Sequence, residues 1–213
     1  MTDPRILTVR PEPDQCAWNF GGAAPVARIA PGTVLDLYTE DCFAGRVRSE
    51  KDLVTKACEF PYLKPQTGPF HIEGAEPGDT VAVHFMSTEP ARDWAAATTV
   101  LLFGALTSTH ATATLQPPLR DKRTALFQAQ DSDIRPELPL DPVHGTAGVA
   151  PANLEVRPAL VRTPTAGTWT RPRCGPASPV TWGSMSKGPC SVWATGAPGR
   201  ARAKPAASPW SAR

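Results

Sequence analysis

From Ile6 to about Leu160, apolar residues fall in short alternating runs separated by Pro- and Gly-rich turns, a spacing that predicts strands rather than helices. Two units repeat one design. Ala30-Pro31-Gly32-Thr33 leads into Val34-Leu35-Asp36-Leu37-Tyr38-Thr39, and Glu76-Pro77-Gly78-Asp79 leads into Thr80-Val81-Ala82-Val83-His84-Phe85. In the second, Val81, Val83 and Phe85 share one face and Ala82 and His84 the other, the period-2 signature of a half-buried strand. Pro at the second turn position and Gly at the third suit a type II turn, since Pro fixes φ near about −65° and Gly tolerates positive φ. Both units therefore predict a turn followed by a strand.

Helical signals are few. Glu50 to Cys58 predicts about two turns capped by Ser49 and stopped by Pro61. Thr98 to Leu115, rich in Thr, Ala and Leu around Gly104, predicts strand and loop. The fold class that follows is mainly β (α+β), with residues 1–161 as its body. After Arg162 the pattern breaks: residues 163–213 contain no Leu, Ile, Phe, Tyr, Asp, Glu, Asn, Gln or His, yet hold Trp169, Trp182, Trp193 and Trp210. Such a stretch lacks the aliphatic residues of a core and carries more Trp than linkers do, so 162–213 is expected to form an irregular, disordered tail.

Composition sharpens this division. A chain of 213 residues with 41% hydrophobic residues can bury about 70% of its unfolded surface. Its net charge of +2 offers no general attraction to nucleic acid or anionic membrane. Every Asp and Glu lies at or before Glu155, so an acidic body precedes a basic tail. No stretch approaches the ~18 apolar residues of a membrane span and the start shows no signal peptide, so the expected location is cytoplasmic. Cys16, Cys42, Cys58, Cys174 and Cys190 are odd in number and irregularly spaced, which predicts free thiols rather than a disulfide framework or zinc knuckle.

The candidate chemistry lies in carboxylates. Glu73, Glu76 and Asp79 crowd one turn, where they could serve as a base or as hard-metal ligands or simply be a solvated turn. Glu40-Asp41 is an acidic pair at a strand end. His71, His84, His110 and His144 show no local metal-binding spacing, and Arg92-Asp93-Trp94 reads as a loop with an ion pair and an aromatic anchor. Gly145 to Pro151 lacks the residues of a phosphate loop. Two other readings stand beside these: a non-enzymatic β-rich module whose basic, Trp-bearing tail contacts RNA or protein, and an amidase using Cys58. The four tail tryptophans follow no fixed period, and no base is recognisable beside Cys58.

Together, Ala30 to Val34, Glu40-Asp41, the run Pro65-Gln66-Thr67-Gly68-Pro69-Phe70-His71-Ile72-Glu73-Gly74-Ala75-Glu76-Pro77-Gly78-Asp79-Thr80, Phe103-Gly104, Leu140-Asp141-Pro142 and Gly148 to Pro151 resemble the acetamidase/formamidase family. The resemblance covers roughly residues 6–161. It implies a β-rich, metal-associated hydrolase, zinc being the first candidate divalent metal, which converts short aliphatic amides to carboxylate and ammonia and forms a homo-oligomer. On it, Glu73, Asp41 and Asp79 become the candidate catalytic carboxylates, with no nucleic-acid or membrane partner.

Beyond Val161 the family would continue with Gly-Gly-Asn-Met-Asp, a Gly-Asp-x-His-Ala metal-ligand motif and a Glu-x-Cys-Gly ending, none of which stands in this sequence. Yet Arg162-Thr163-Pro164-Thr165-Ala166-Gly167-Thr168-Trp169-Thr170 can be encoded by bases that, read one nucleotide out of step, give Pro-Asp-Ala-His-Gly-Gly-Asn-Met-Asp. The same offset turns Trp193-Ala194-Thr195-Gly196 into Val-Gly-Asp-Gly, with Thr195 where the Asp would be, and Lys204 to Ala212 into Glu-Ala-Cys-Gly-Val-Ala-Val-Glu-Cys. Three matches in order under one shift imply a single-base deletion near the Arg162 codon, a truncated family body and an impaired enzyme.

Overall fold

The computed structural model describes residues 5–76, 79–100, 113–128, 132–142, 145–160, 166–168, 179–183, 191–195 and 199–208, with side chains described up to residue 160, Ala152 excepted. Pro77, Gly78, Phe103, Gly104, His110, His144, Cys174 and Cys190 lie outside these residues. So does most of the 162–170 stretch that carries the out-of-step motif.

The described elements are almost all strands. In chain order they are β1 (Ile6–Val9), β2 (Asn19–Phe20), β3 (Ala27–Ile29), β4 (Val34–Thr39), the one short helix α1 (Val54–Ala57), β5 (Thr67–Ile72), β6 (Thr80–Pro90), β7 (Ala97–Thr99) and β8 (Ala113–Leu115). They continue with β9 (Leu119–Arg120), β10 (Thr124–Leu126), β11 (Glu137–Pro139), β12 (Thr146–Val149), β13 (Arg157–Pro158), β14 (Ala166–Thr168), β15 (Pro179–Gly183), β16 (Ser191–Thr195) and β17 (Gly199–Ser208). Two five-stranded sheets dominate, one in the order β1-β4-β17-β6-β15 and the other β14-β12-β16-β5-β3. Strands from both sides of residue 161 share their ladders. A smaller sheet, β11-β10-β9, and the pairs β13-β2 and β7-β8 decorate them.

One core lies between the large sheets. It joins Leu35, Leu37, Val81, Val83 and Phe85 of the first to Ile29, Phe70, Ile72, Ala147 and Val149 of the second. The alternation expected of β6 is present: Val81, Val83 and Phe85 are buried while His84 and Met86 face solvent. β4 departs from simple alternation and is buried at every position but Tyr38. Its Asp36 faces Arg10, with 3.9 Å between Oδ2 and Nη2.

The turn chemistry explains how these strands begin. Thr33 N–H donates to the Ala30 carbonyl at 3.1 Å, and Gly32 takes φ of +85°, the positive value the type II turn requires at its third position. The second turn closes likewise, with Asp79 N–H on the Glu76 carbonyl at 3.1 Å.

The predicted helix after Ser49 is shorter than expected. Only Val54–Ala57 is helical, Leu53 stands at the N-cap without a side-chain bond, and Ser49 does not cap it. The cause is Asp52, whose Oδ2 accepts the N–H groups of both Arg48 and Ser49 at 2.9 Å and folds that stretch into its own turn. Among the described residues no helix is long and apolar enough to cross a membrane.

Candidate functional site

Where β4 ends and β6 ends, the two chain segments are brought side by side, and three charged side chains meet. Arg92 donates from Nη1 to Asp41 Oδ2 and from Nη2 to Glu40 Oε1, each at 2.5 Å. A planar guanidinium suits this because its fork can hold two carboxylates at once. Asp41 is only 5% exposed. Its other oxygen, Oδ1, accepts the N–H of Phe43 at 2.8 Å and of Gly45 at 3.0 Å, while Glu40 Oε1 also accepts the N–H of Asp41 at 2.9 Å.

Gly45 is required at its place. Its φ is +66°, and a Cβ there would lie 3.1 Å from Glu40 Oε2 and 3.3 Å from Arg92 Nη2. Arg92 is fixed from behind by Trp94, whose ring centroid lies 5.0 Å from the guanidinium carbon. Burial opposes the charge on Arg92, but its hydrogen bond to Asp41 and the charges of Glu40 and Asp41 outweigh it and raise its pKa. Tyr38 beside them is likewise raised, by burial first and by the Glu40 charge second.

Against this cluster lies a cavity of about 400 Å³. Phe43, Trp94, Leu119 and Leu140 give it apolar walls, and three carboxylates, Asp41, Glu89 and Asp141, stand at its lining. Asp41 accepts three hydrogen bonds, from Arg92 on Oδ2 and from the Phe43 and Gly45 N–H groups on Oδ1, which fix its orientation at the lining. Glu89 and Asp141 are solvent-exposed, and Glu89 stands in the β6 ladder directly opposite Arg200 of β17.

Behind the cluster the second sheet contributes a buried polar pair. Gln66, fully buried, donates from Nε2 to Thr146 Oγ1 at 2.7 Å and to the Lys64 carbonyl at 3.2 Å. Its Oε1 has no hydrogen-bond partner among the described residues. Thr146 is registered with Thr195 of β16, the position at which the out-of-step reading puts an Asp.

Of the carboxylates singled out in the sequence, Asp41 alone stands at this cavity. Asp79 precedes the first residue of β6, whereas Glu89 and Pro90 are its last two and Arg92 lies beyond, so about 33 Å of strand separates the two ends. At the far end Asp79 Oδ2 accepts the Glu76 N–H at 2.8 Å, and Glu73 is exposed in the same turn region. The structure thus does not bring Glu73 and Asp79 together with Asp41. Arg92 and Trp94 do join it, as the ion pair and the aromatic anchor expected of that loop, although the ion pair is made with Glu40 and Asp41 rather than within the loop. Asp141 and Glu89 were not singled out as candidates, and their only sequence signal was the Leu140-Asp141-Pro142 run.

The described residues form no set that fits a resident divalent metal. Among the described residues no three His, Cys, Asp or Glu side chains converge, and both oxygens of Asp41 are taken. Nor do the thiols fit nucleophilic chemistry. Burial pushes Cys42 up to about 12 and Cys16 up to about 11, with nearby carboxylate charge adding to it. Cys58 is also raised by burial, and its Sγ donates to the Phe43 carbonyl at 3.7 Å. Burial thus opposes the thiolate that an amidase using Cys58 would need.

No protein-family model and no curated protein sequence matches the chain. Its fold, however, is that of solved acetamidases. The acetamidase of Yersinia enterocolitica superposes with a TM-score of 0.81 at 22% identity, over 99% of this chain and 70% of that one. The acetamidase of Bacillus halodurans gives 0.80 at 20% identity, over 95% and 70%. A gamma lactamase from Delftia acidovorans gives 0.71 at 12% identity, over 89% and 63%.

Proposed function

We propose that this chain is an amidohydrolase of the acetamidase/formamidase type, acting on the carbon–nitrogen bond of short linear amides to give carboxylate and ammonia, and that turnover is impaired in the chain as written. The observation that carries the reading is the likeness to solved acetamidases over 95–99% of the chain, at a TM-score of 0.80 or above. The cavity against Asp41 supports it, because amide hydrolysis needs an enclosed site with fixed charge beside the scissile group. A cytoplasmic location and a homo-oligomeric assembly belong to the same proposal.

Impairment rests on what the described residues lack. The family resemblance implies a zinc-type centre, and no set of side chains among the described residues forms one. Position 195, where a restored frame supplies an Asp, is a Thr registered against Thr146 beside the buried Gln66. We attribute the difference to the single-base deletion near the Arg162 codon, with Glu73, Asp41 and Asp79 retained as the candidate carboxylates.

The test compares two proteins for ammonia release from acetamide and formamide with zinc supplied: this chain, and the chain with one base restored near the Arg162 codon. The restored protein is expected to turn over both amides and this chain to be slower by at least about 100-fold, the scale of losing metal-site groups. Silence from both proteins would sink the amidase reading. Equal rates would leave that reading standing and sink the impairment.

A further inference from the structure

The cavity beside Asp41 is walled for more than a methyl group. At about 400 Å³ it falls within the range of sites that enclose ligands much larger than acetamide. Trp94, Ala95, Ala96 and Leu119 supply much of its apolar wall, with Phe43 and Leu140 beside them. The two chain segments behind that wall are laced together. The Ala95 N–H donates to the Pro117 carbonyl at 2.9 Å, the Leu119 N–H donates to the Asp93 carbonyl at 2.7 Å, and Trp94 forms an antiparallel bridge with Pro118. Trp94 is held a second way, by its ring against the Arg92 guanidinium, which Glu40 and Asp41 fix in turn. Leu140 is tied in through its N–H on the Arg123 carbonyl at 2.8 Å. A wall anchored in this way stands before a ligand arrives, so covering it costs little ordering. Phe43, Trp94, Leu119 and Leu140 are each only partly buried, which leaves apolar surface there to be covered.

From this we infer that the cavity prefers primary amides with a bulky apolar acyl group, such as a cyclohexyl or aryl ring, over formamide and acetamide. The amide group lies toward Asp41 and the acyl group along Trp94, Leu119 and Leu140. The inference rests on the amide-hydrolase reading of the same cavity and adds the substrate class. Each methylene moved from water onto such a wall strengthens binding by about fourfold. An acetyl group leaves most of the wall uncovered and forgoes that gain.

The experiment is a ligand-observed NMR titration of the full chain with acetamide, butyramide, cyclohexanecarboxamide and benzamide. All four are neutral, so the comparison is independent of the carboxylates at the lining. Affinity is expected to rise along the series, with both ring amides at least about 50-fold tighter than acetamide. Ala96→Phe, which fills the cavity from a partly buried position, should abolish the advantage of the rings. Leu140→Ala removes part of the wall instead and should weaken benzamide by about tenfold. Urea unfolding midpoints show which variants keep the fold, and Leu140→Ala decides the matter where Ala96→Phe does not. A flat series, absence of binding by all four, or a ring preference untouched in a folded variant would each overturn the inference. Failure of the amidase reading itself would register elsewhere, as absent ammonia release from the frame-restored protein.

Discussion

Arg92 holds together what would otherwise be two adjacent like charges. Asp41 is nearly buried, and removing the guanidinium would leave that carboxylate with backbone donors alone and Glu40 beside it. Breaking a buried pair by deleting one partner costs roughly 3–5 kcal/mol. The Arg92 and Glu40 side chains are 20% and 24% exposed, which reduces that figure by solvent screening. Arg92→Met is therefore expected to destabilise the protein by about 2–3 kcal/mol, and Arg92→Lys by about 1 kcal/mol, since Lys keeps the charge but not the two-pronged geometry. Urea unfolding midpoints measure both. If Lys cost as much as Met, charge compensation would not be what Arg92 supplies.

At the scale of elements, strand identity was legible where the signal is local. Both Pro-Gly turns and the strands that follow them were readable because turn and alternation lie within ten consecutive residues. The helix after Ser49 is shorter than the pattern predicts, since Asp52 binds back to the Arg48 and Ser49 N–H groups and closes a separate turn ahead of it. The site was less legible. Asp41 and Arg92 meet across about fifty positions, and Gln66 and Thr146 across eighty, so no window of sequence contains either pair. That second pair ties β5 to β12 through one hydrogen bond between buried groups. Thr146→Val and Gln66→Met should each cost about 1–3 kcal/mol by orphaning the surviving partner, while the double change should cost less than the sum of the two. A double-mutant cycle by thermal or urea unfolding decides it, and strict additivity would mean that the bond contributes nothing specific.

For the whole molecule the decisive element is β17. It runs between β4 and β6, with Ala201, Ala203, Pro205 and Ala207 registered against the rows that contain Leu37, Leu35, Val83 and Val81. A proline inside a central strand is unusual, because Pro205 brings no N–H to the ladder. Removing residues 199–208 would expose facing edges of β4 and β6 together, and the shortened chain is expected to elute as large aggregates in size-exclusion chromatography where the full chain does not. A monodisperse shortened chain would show that the first sheet closes without β17. The same topology sets a timetable. β4 and β6 are synthesised long before the segment that must lie between them, so the sheet cannot close by neighbouring strands zipping together. It waits for a loop closure across more than a hundred residues, and during that wait the two edges are open to any other chain emerging nearby. Yield on expression should thus depend less on how stable the finished fold is than on how crowded, and how slow, the interval before β17 arrives.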